Sequence, residues 1–175
     1  MKWTVTTPAA ALPVSTYDAM YHLRLDRTPA DGNVLDRCIA AACDYARDAL
    51  NSSLCVETIT AVFYEGEPIY LPRGPLVAVT SVTDSSGTSI GYEVYRVGNS
   101  DRLRLTQGFT APLTVVYTSG YANAAAVPDS IKQAILCHAG TLYEHRESVT
   151  ERGRTPVPHQ LEAFYRIKRR SVGVG

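Results

Sequence analysis

A chain of 175 residues, 45% hydrophobic and 19% charged, can bury one core and is short of what two would need, so one domain is expected. Lysine plus arginine (17) equals aspartate plus glutamate (17), which excludes a strong nonspecific grip on nucleic acid or an anionic membrane through net charge. No apolar run approaches the ~18 residues of a membrane span, and Pro8 and Pro13 break the first fifteen residues where a secretion signal needs a continuous apolar stretch; a soluble protein made in a cytoplasm is expected.

Residues 1–14 are small, polar or proline and read as an extended N-terminal arm rather than a packed element. Such an arm is either disordered alone or anchored through Trp3 and Val5 on a neighbouring subunit. Ser15 then precedes a short helix over 16–25, with Asp18 placed three residues on for a capping box and Tyr17, Met20, Tyr21 and Leu25 on one side. Asp31 is the expected cap of a longer helix over 32–50. Leu35, Cys38, Ile39, Ala42, Ala46 and Ala49 recur there at helical spacing, with Asp36, Arg37, Asp44, Arg47 and Asp48 opposite.

From residue 56 to 118 the pattern changes. TITAVFY, VAVTSVT, YEVYRV, RLRLT and LTVVYT are β-branched or aromatic runs bounded by Gly, Pro, Asn, Asp and Ser, which predicts a small antiparallel β region. GNSD at 98–101 suits a hairpin connection and SSGT at 85–88 another turn. PIYLPRGPL carries three prolines and is expected as an extended or edge connection.

The clearest helix covers 129–146, opened by Pro128 and Asp129, with Ile131, Ile135, Leu136, Ala139, Leu142 and Tyr143 along one side. Leu35, Ile39 and Ala42 are expected to pack on Ile131, Ile135 and Leu142, with Ala139 and Gly140 allowing close approach. Residues 148–175 read as a loop and a basic C-terminal segment. Leu161, Phe164, Tyr165, Arg166, Lys168, Arg169 and Arg170 there are candidate contacts for a partner. By composition these basic residues suit phosphates, an acidic protein surface or plain solvent.

Little in the sequence points to catalysis. Glu144, His145 and Glu147 are dense in ionisable groups, but adjacent helical residues point in different directions, and His and Arg also suit a helix C-terminus. His138 and His145 are two turns apart, too far for one zinc without further ligands, and the phosphate-loop, dinucleotide and nucleophile-elbow motifs are missing. Cys38, Cys43, Cys55 and Cys137 include no Cys-x-x-Cys pair and read as small buried hydrophobes. No cofactor and no metal is expected. Trp3, Tyr64, Tyr70, Tyr92 and Tyr95 are candidates for a self-interface, since strand tyrosines more often fill sheet faces or subunit contacts than stack bases.

Several phrases together resemble the head-tail connector (head-completion adaptor) proteins of long-tailed phages and prophages. They are a helix pair ending in RDALNSSL, then LPRGPLVAVTSVTD, then LTVVYTSGYANAAAVPDSIKQAILCHAGTLYEHRE, then a proline-bearing segment before LEAFYRIKR. The order and spacing span about residues 15–170. The first helix is shorter than in the family, and the last segment lacks the double leucine common before its Tyr-Arg. The resemblance implies an α+β fold, mainly a helical bundle with an inserted small antiparallel β region. It also implies a non-enzymatic ring of twelve copies under the portal at one capsid vertex. The next connector, stopper or tail protein docks below, and DNA passes through the lumen without sequence readout. From composition alone the alternative is a small nucleic-acid-binding protein using the basic C-terminal segment.

Overall fold

The computed structural model describes residues 1–26, 29–64, 69–144, 164–166 and 168–170, with the backbone alone at 29–31. In chain order the elements are β1 (Lys2–Thr7), α1 (Thr16–Leu23), α2 (Pro29–Leu50), β2 (Glu57–Phe63), β3 (Ile69–Tyr70), β4 (Leu76–Thr83), β5 (Tyr92–Val97), β6 (Ser100–Leu105), β7 (Leu113–Ser119) and α3 (Asp129–Glu144). Internal contacts divide them into two compact units where composition suggested one domain. A strand unit contains 1–11, 51–123 and 170 onward, and a helical unit contains 12–50 and 124–169.

In the strand unit β2 and β7 alternate strictly between buried and half-buried residues, as strands with one face on a core do. They pair in full antiparallel register, Glu57 opposite Ser119 through Phe63 opposite Leu113, and sit at the centre of a sheet of order β1-β2-β7-β4. A second antiparallel sheet has the order β3-β6-β5. Ile59, Ala61, Phe63, Val82, Leu113, Val115 and Tyr117 from the first sheet join Ile69, Leu103 and Leu105 from the second in one core. The two-residue turn between β5 and β6 has Gly98 at φ +58, the backbone a type II′ turn requires at its first central position.

Two expectations change here. Helix and strand account for about 35% and 32% of the chain, so the protein is not mainly a helical bundle with a small β insertion. The strands are not an appendage to the helices, because their two faces bury a core of their own. Residues 2–7 are not a free arm either. β1 pairs with β2, Trp3 opposite Ala61 and Val5 opposite Ile59, and Trp3 packs against the strand core. The proline-bearing stretch does behave as expected, since β3 is two residues long and lies at a sheet edge.

In the helical unit α1 is capped at Ser15. Its hydroxyl accepts from the Asp18 N–H (3.1 Å), and the Asp18 carboxylate accepts from the Ser15 N–H (2.9 Å), so both bonds of a capping box form. The helix α2 begins at Pro29, ahead of the Asp31 cap expected from sequence. Proline at a first helical position loses no hydrogen bond and brings the right φ. Leu35, Ile39, Ala42, Cys43, Ala46 and Leu50 form its buried stripe, and Ile131, Ala134, Ile135, Ala139 and Gly140 that of α3. The two helices pack together and α1 packs on both. Leu142 is only half-buried, and Gly140 faces Leu23 of α1 rather than α2: a Cβ there would lie 2.9 Å from the Leu23 Cδ2.

Candidate interaction surface

The strand unit holds two buried charge clusters. In the first, Arg73 on the LPRGPL stretch lies over Trp3, its guanidinium carbon 4.9 Å from the ring centroid, with Nη1 3.7 Å from Glu57 Oε1. The Ser53 hydroxyl donates to the same Glu57 oxygen at 2.6 Å. The Arg73 N–H donates to the Tyr117 hydroxyl at 3.3 Å, and burial pushes that phenol's pKa up, so it stays protonated. The cluster ties β1, β2 and the proline-rich stretch together.

The second cluster centres on Asp101, which is 3% exposed. Its carboxylate accepts from Arg96 Nε at 2.7 Å, from Arg170 Nη2 at 2.5 Å and from the Leu76 N–H at 3.0 Å. Arg170 also donates to Asn99 at 3.3 Å, and its backbone carbonyl accepts from the Asn51 amide at 3.0 Å. Burial lowers the Arg170 pKa and Asp101 opposes that shift, as a desolvated ion pair should. Residue 170 is thereby anchored to the β5–β6 hairpin, although the basic terminus read as a set of solvent-facing partner contacts.

The other candidate partner contacts divide. Phe164, Arg166, Lys168 and Arg169 are exposed, whereas Tyr165 is buried, its ring 5.6 Å from that of Tyr45. Leu161 lies outside the described residues, as do His145 and Glu147; Glu144 is exposed at the end of α3. Of the candidate self-interface residues, Tyr64 and Tyr92 are exposed, Tyr70 lies under Arg102 (4.3 Å) and Tyr95 under Arg104 (5.5 Å). Trp3 is engaged by Arg73 as above. Leu35, Ile39, Ala42, Ile131 and Ile135 all sit in the helical core.

Asp101, Glu57 and Arg73 went unremarked in the sequence because their partners are distant along the chain. Asp101 looked like a hairpin residue and nothing more. Among the described residues no group of His, Cys, Asp and Glu could hold a metal ion, and no helix is long and apolar enough to cross a membrane. None of the four cysteines forms a disulfide.

His138 packs edge-on to Tyr45, ring centroids 5.0 Å apart, and burial lowers its pKa below the ordinary 6.5. The folded chain then holds fewer protons than the unfolded chain below that value. This contribution to stability is complete above pH 6.5 and lost as pH falls through the lowered value. The melting temperature is expected to drop between pH 7 and pH 5, and that of His138→Gln to drop less over the same interval. Equal pH slopes in thermal melts of the two proteins would remove His138 as the cause.

The architecture is that of an α+β protein with a two-sheet strand unit and a helical unit. Solved structures of gene transfer agent (GTA) particles contain chains of this fold. A chain in the virion of the native particle aligns with a TM-score of 0.78 at 19% identity, covering 100% of this chain and 98% of that one. A chain in the neck of the empty particle, computed with C6 symmetry, gives 0.80 at 18% with the same coverage. A chain in the neck of the native particle, computed with C12 symmetry, gives 0.76 at 20%, again with 100% and 98% covered. No protein-family profile matches the sequence, and no curated protein is detectably similar to it.

Proposed function

We propose that this chain is a structural neck subunit of a tailed phage, prophage or phage-like particle. Twelve copies form a ring beneath the portal, join the DNA-filled head to the tail and leave a lumen for the genome. The observation that carries this reading is the end-to-end likeness to a neck chain, TM-score 0.80 with 100% of this chain and 98% of that one covered. In this reading the protein is non-enzymatic and resides at the head-tail junction of the virion after synthesis in the host cytoplasm. The exposed Phe164, Arg166, Lys168 and Arg169 face the portal or the next neck component, and the strand unit and helix flanks supply the lateral contacts.

The nucleic-acid reading is weaker on this structure. Arg170 is committed to Asp101, and one face of Tyr70 and of Tyr95 is covered by arginine, which leaves less free π-surface for a base to stack on. Mixing the purified protein with portal rings and imaging by electron microscopy is expected to show an added annulus of twelve-fold symmetry. Deleting the gene should yield DNA-filled heads without tails. Bare portals in the first experiment and normal virions in the second would overturn the proposal.

A further inference from the structure

Among the described residues the two sheets of the strand unit have four edge strands, and three of them carry features that discourage pairing with another chain. In β1 the register shifts between Val5 and Thr7, and Pro8 follows directly. In β4 it shifts twice, between Leu76 and Ala78 and between Val79 and Ser81. The end of that strand is also covered by residues 89–90, with the Ile90 N–H donating to the Val82 carbonyl at 2.9 Å and a bridge from Ser89 to Thr83. The third, β3, has two residues with Pro72 close behind. Bulges, prolines and short length are the usual means by which proteins keep sheet edges from adding strands. The fourth edge, β5, has neither bulge nor proline and is full length, its charged residues being Glu93 and Arg96. Its six residues pair with β6 in unbroken register.

This strand also leaves apolar surface in water. Tyr92, Val94 and Arg96 stand opposite Leu105, Leu103 and Asp101, all buried, so they point to the core-facing side of the sheet. Val94 is nevertheless 51% exposed and Tyr92 36%. The core is unfinished at this edge. In a two-residue hairpin the residues flanking the turn exchange both backbone bonds, so Val97, Tyr95 and Glu93 bond to β6. Tyr92, Val94 and Arg96 then present their N–H and C=O groups outward.

We propose that β5 is a docking strand for β5 of a second copy of this chain, the two pairing antiparallel about a two-fold axis through Val94. Antiparallel partners must lie on the same side of a sheet, which allows only registers that match core-facing residues with core-facing ones. The register centred on Val94 sets Val94 against Val94, completing the apolar edge. It sets Tyr92 of each copy against Arg96 of the other, a ring–guanidinium pair formed twice. The Arg96 side chain is 59% exposed and its Nε is held by Asp101, so its plane is already positioned. The three strands of each copy become one sheet of six. The contact falls well below the ~800 Å² per partner of a stable interface, and a dissociation constant on the order of 10–100 μM is expected.

A two-fold contact closes on itself, whereas a ring is built head to tail. The dimer is therefore a form of the free protein that covers the β5 edge before assembly, and it does not depend on the neck reading. The test uses the full chain over a concentration series, by light scattering and by hydrogen exchange. Wild type is expected to pass from monomer to dimer, with the amides of Tyr92, Val94 and Arg96 slowing in step. Val94→Pro removes one outward N–H while leaving the β6 ladder intact, and Val94→Lys puts two charges on the axis. Each should weaken dimerisation at least tenfold. If the proline variant does not fold, the lysine variant and the wild-type exchange data decide. A wild type that stays monomeric to millimolar concentration, a dimer whose exchange protection lies elsewhere, or variants that dimerise as tightly as wild type would each overturn the two-fold pairing.

Discussion

Asp101→Ala is expected to destabilise the protein by about 3–5 kcal/mol, because it strips a buried pair of its anion and leaves the Arg170 guanidinium, 11% exposed, without its counter-charge. The Leu76 N–H loses its acceptor as well, and a buried donor without a partner costs about 1–3 kcal/mol. Arg170→Ala should cost less. Asp101 then keeps Arg96 and the Leu76 N–H, so the loss is mainly that of the charge-assisted hydrogen bond to Asp101, with the longer one to Asn99, about 1.5–3 kcal/mol. Urea unfolding of the three proteins measures both differences. A loss below ~1 kcal/mol for Asp101→Ala would mean that the cluster behaves as a surface ion pair.

The second large effect is expected at Gly120, which follows β7 with φ +125, a conformation in which L side chains are strained by about 1–3 kcal/mol. A Cβ added there would run into the Cys55 carbonyl, which is backbone and cannot rotate away, while the Gly120 N–H holds the Pro75 carbonyl at 2.9 Å. Gly120→Ala should therefore cost ~3 kcal/mol or more, strain and collision together. Gly98→Ala is the matched control. It also has positive φ but open space around it, so about 1–2 kcal/mol is expected. Chemical denaturation that ranks the two equally would show that φ alone sets the cost.

Much of the local structure is legible in the sequence. The Ser15–Asp18 box, the helical stripe from Leu35 to Leu50, the Asp129 helix and five of the seven strands follow from periodicity and capping, which depend on neighbours within a turn or a pleat. Two strands escaped. One is β1, whose KWTVTT has β-forming residues but whose pairing with Ile59 and Ala61 depends on a strand more than fifty residues away. The other is β3, two residues among prolines. The phage-connector resemblance led to a helical emphasis that the strand core corrects. Local pattern shows that strands exist, and only their packing shows whether they enclose a core of their own.

The opening of β5 illustrates the same division. YEVYRV reads as a strand, and a strand is found there. Its position at an edge, the half-exposed Val94 on the core side and the blocked state of the other three edges are properties of sheet order and register. Asp101 is the sharpest case. In sequence it is the last residue of a hairpin signal, and it is buried among Arg96, Leu76 and Arg170, the last of them 69 residues away. By itself the sequence determined the helices, most strands, the turns and the lack of a recognisable catalytic motif, because those depend on short-range sterics, hydrogen bonding and residue type. Tertiary structure alone decided which charges are buried together, that the N-terminal arm is a strand, and which sheet edge stays open, because each depends on contacts between segments that no local pattern relates.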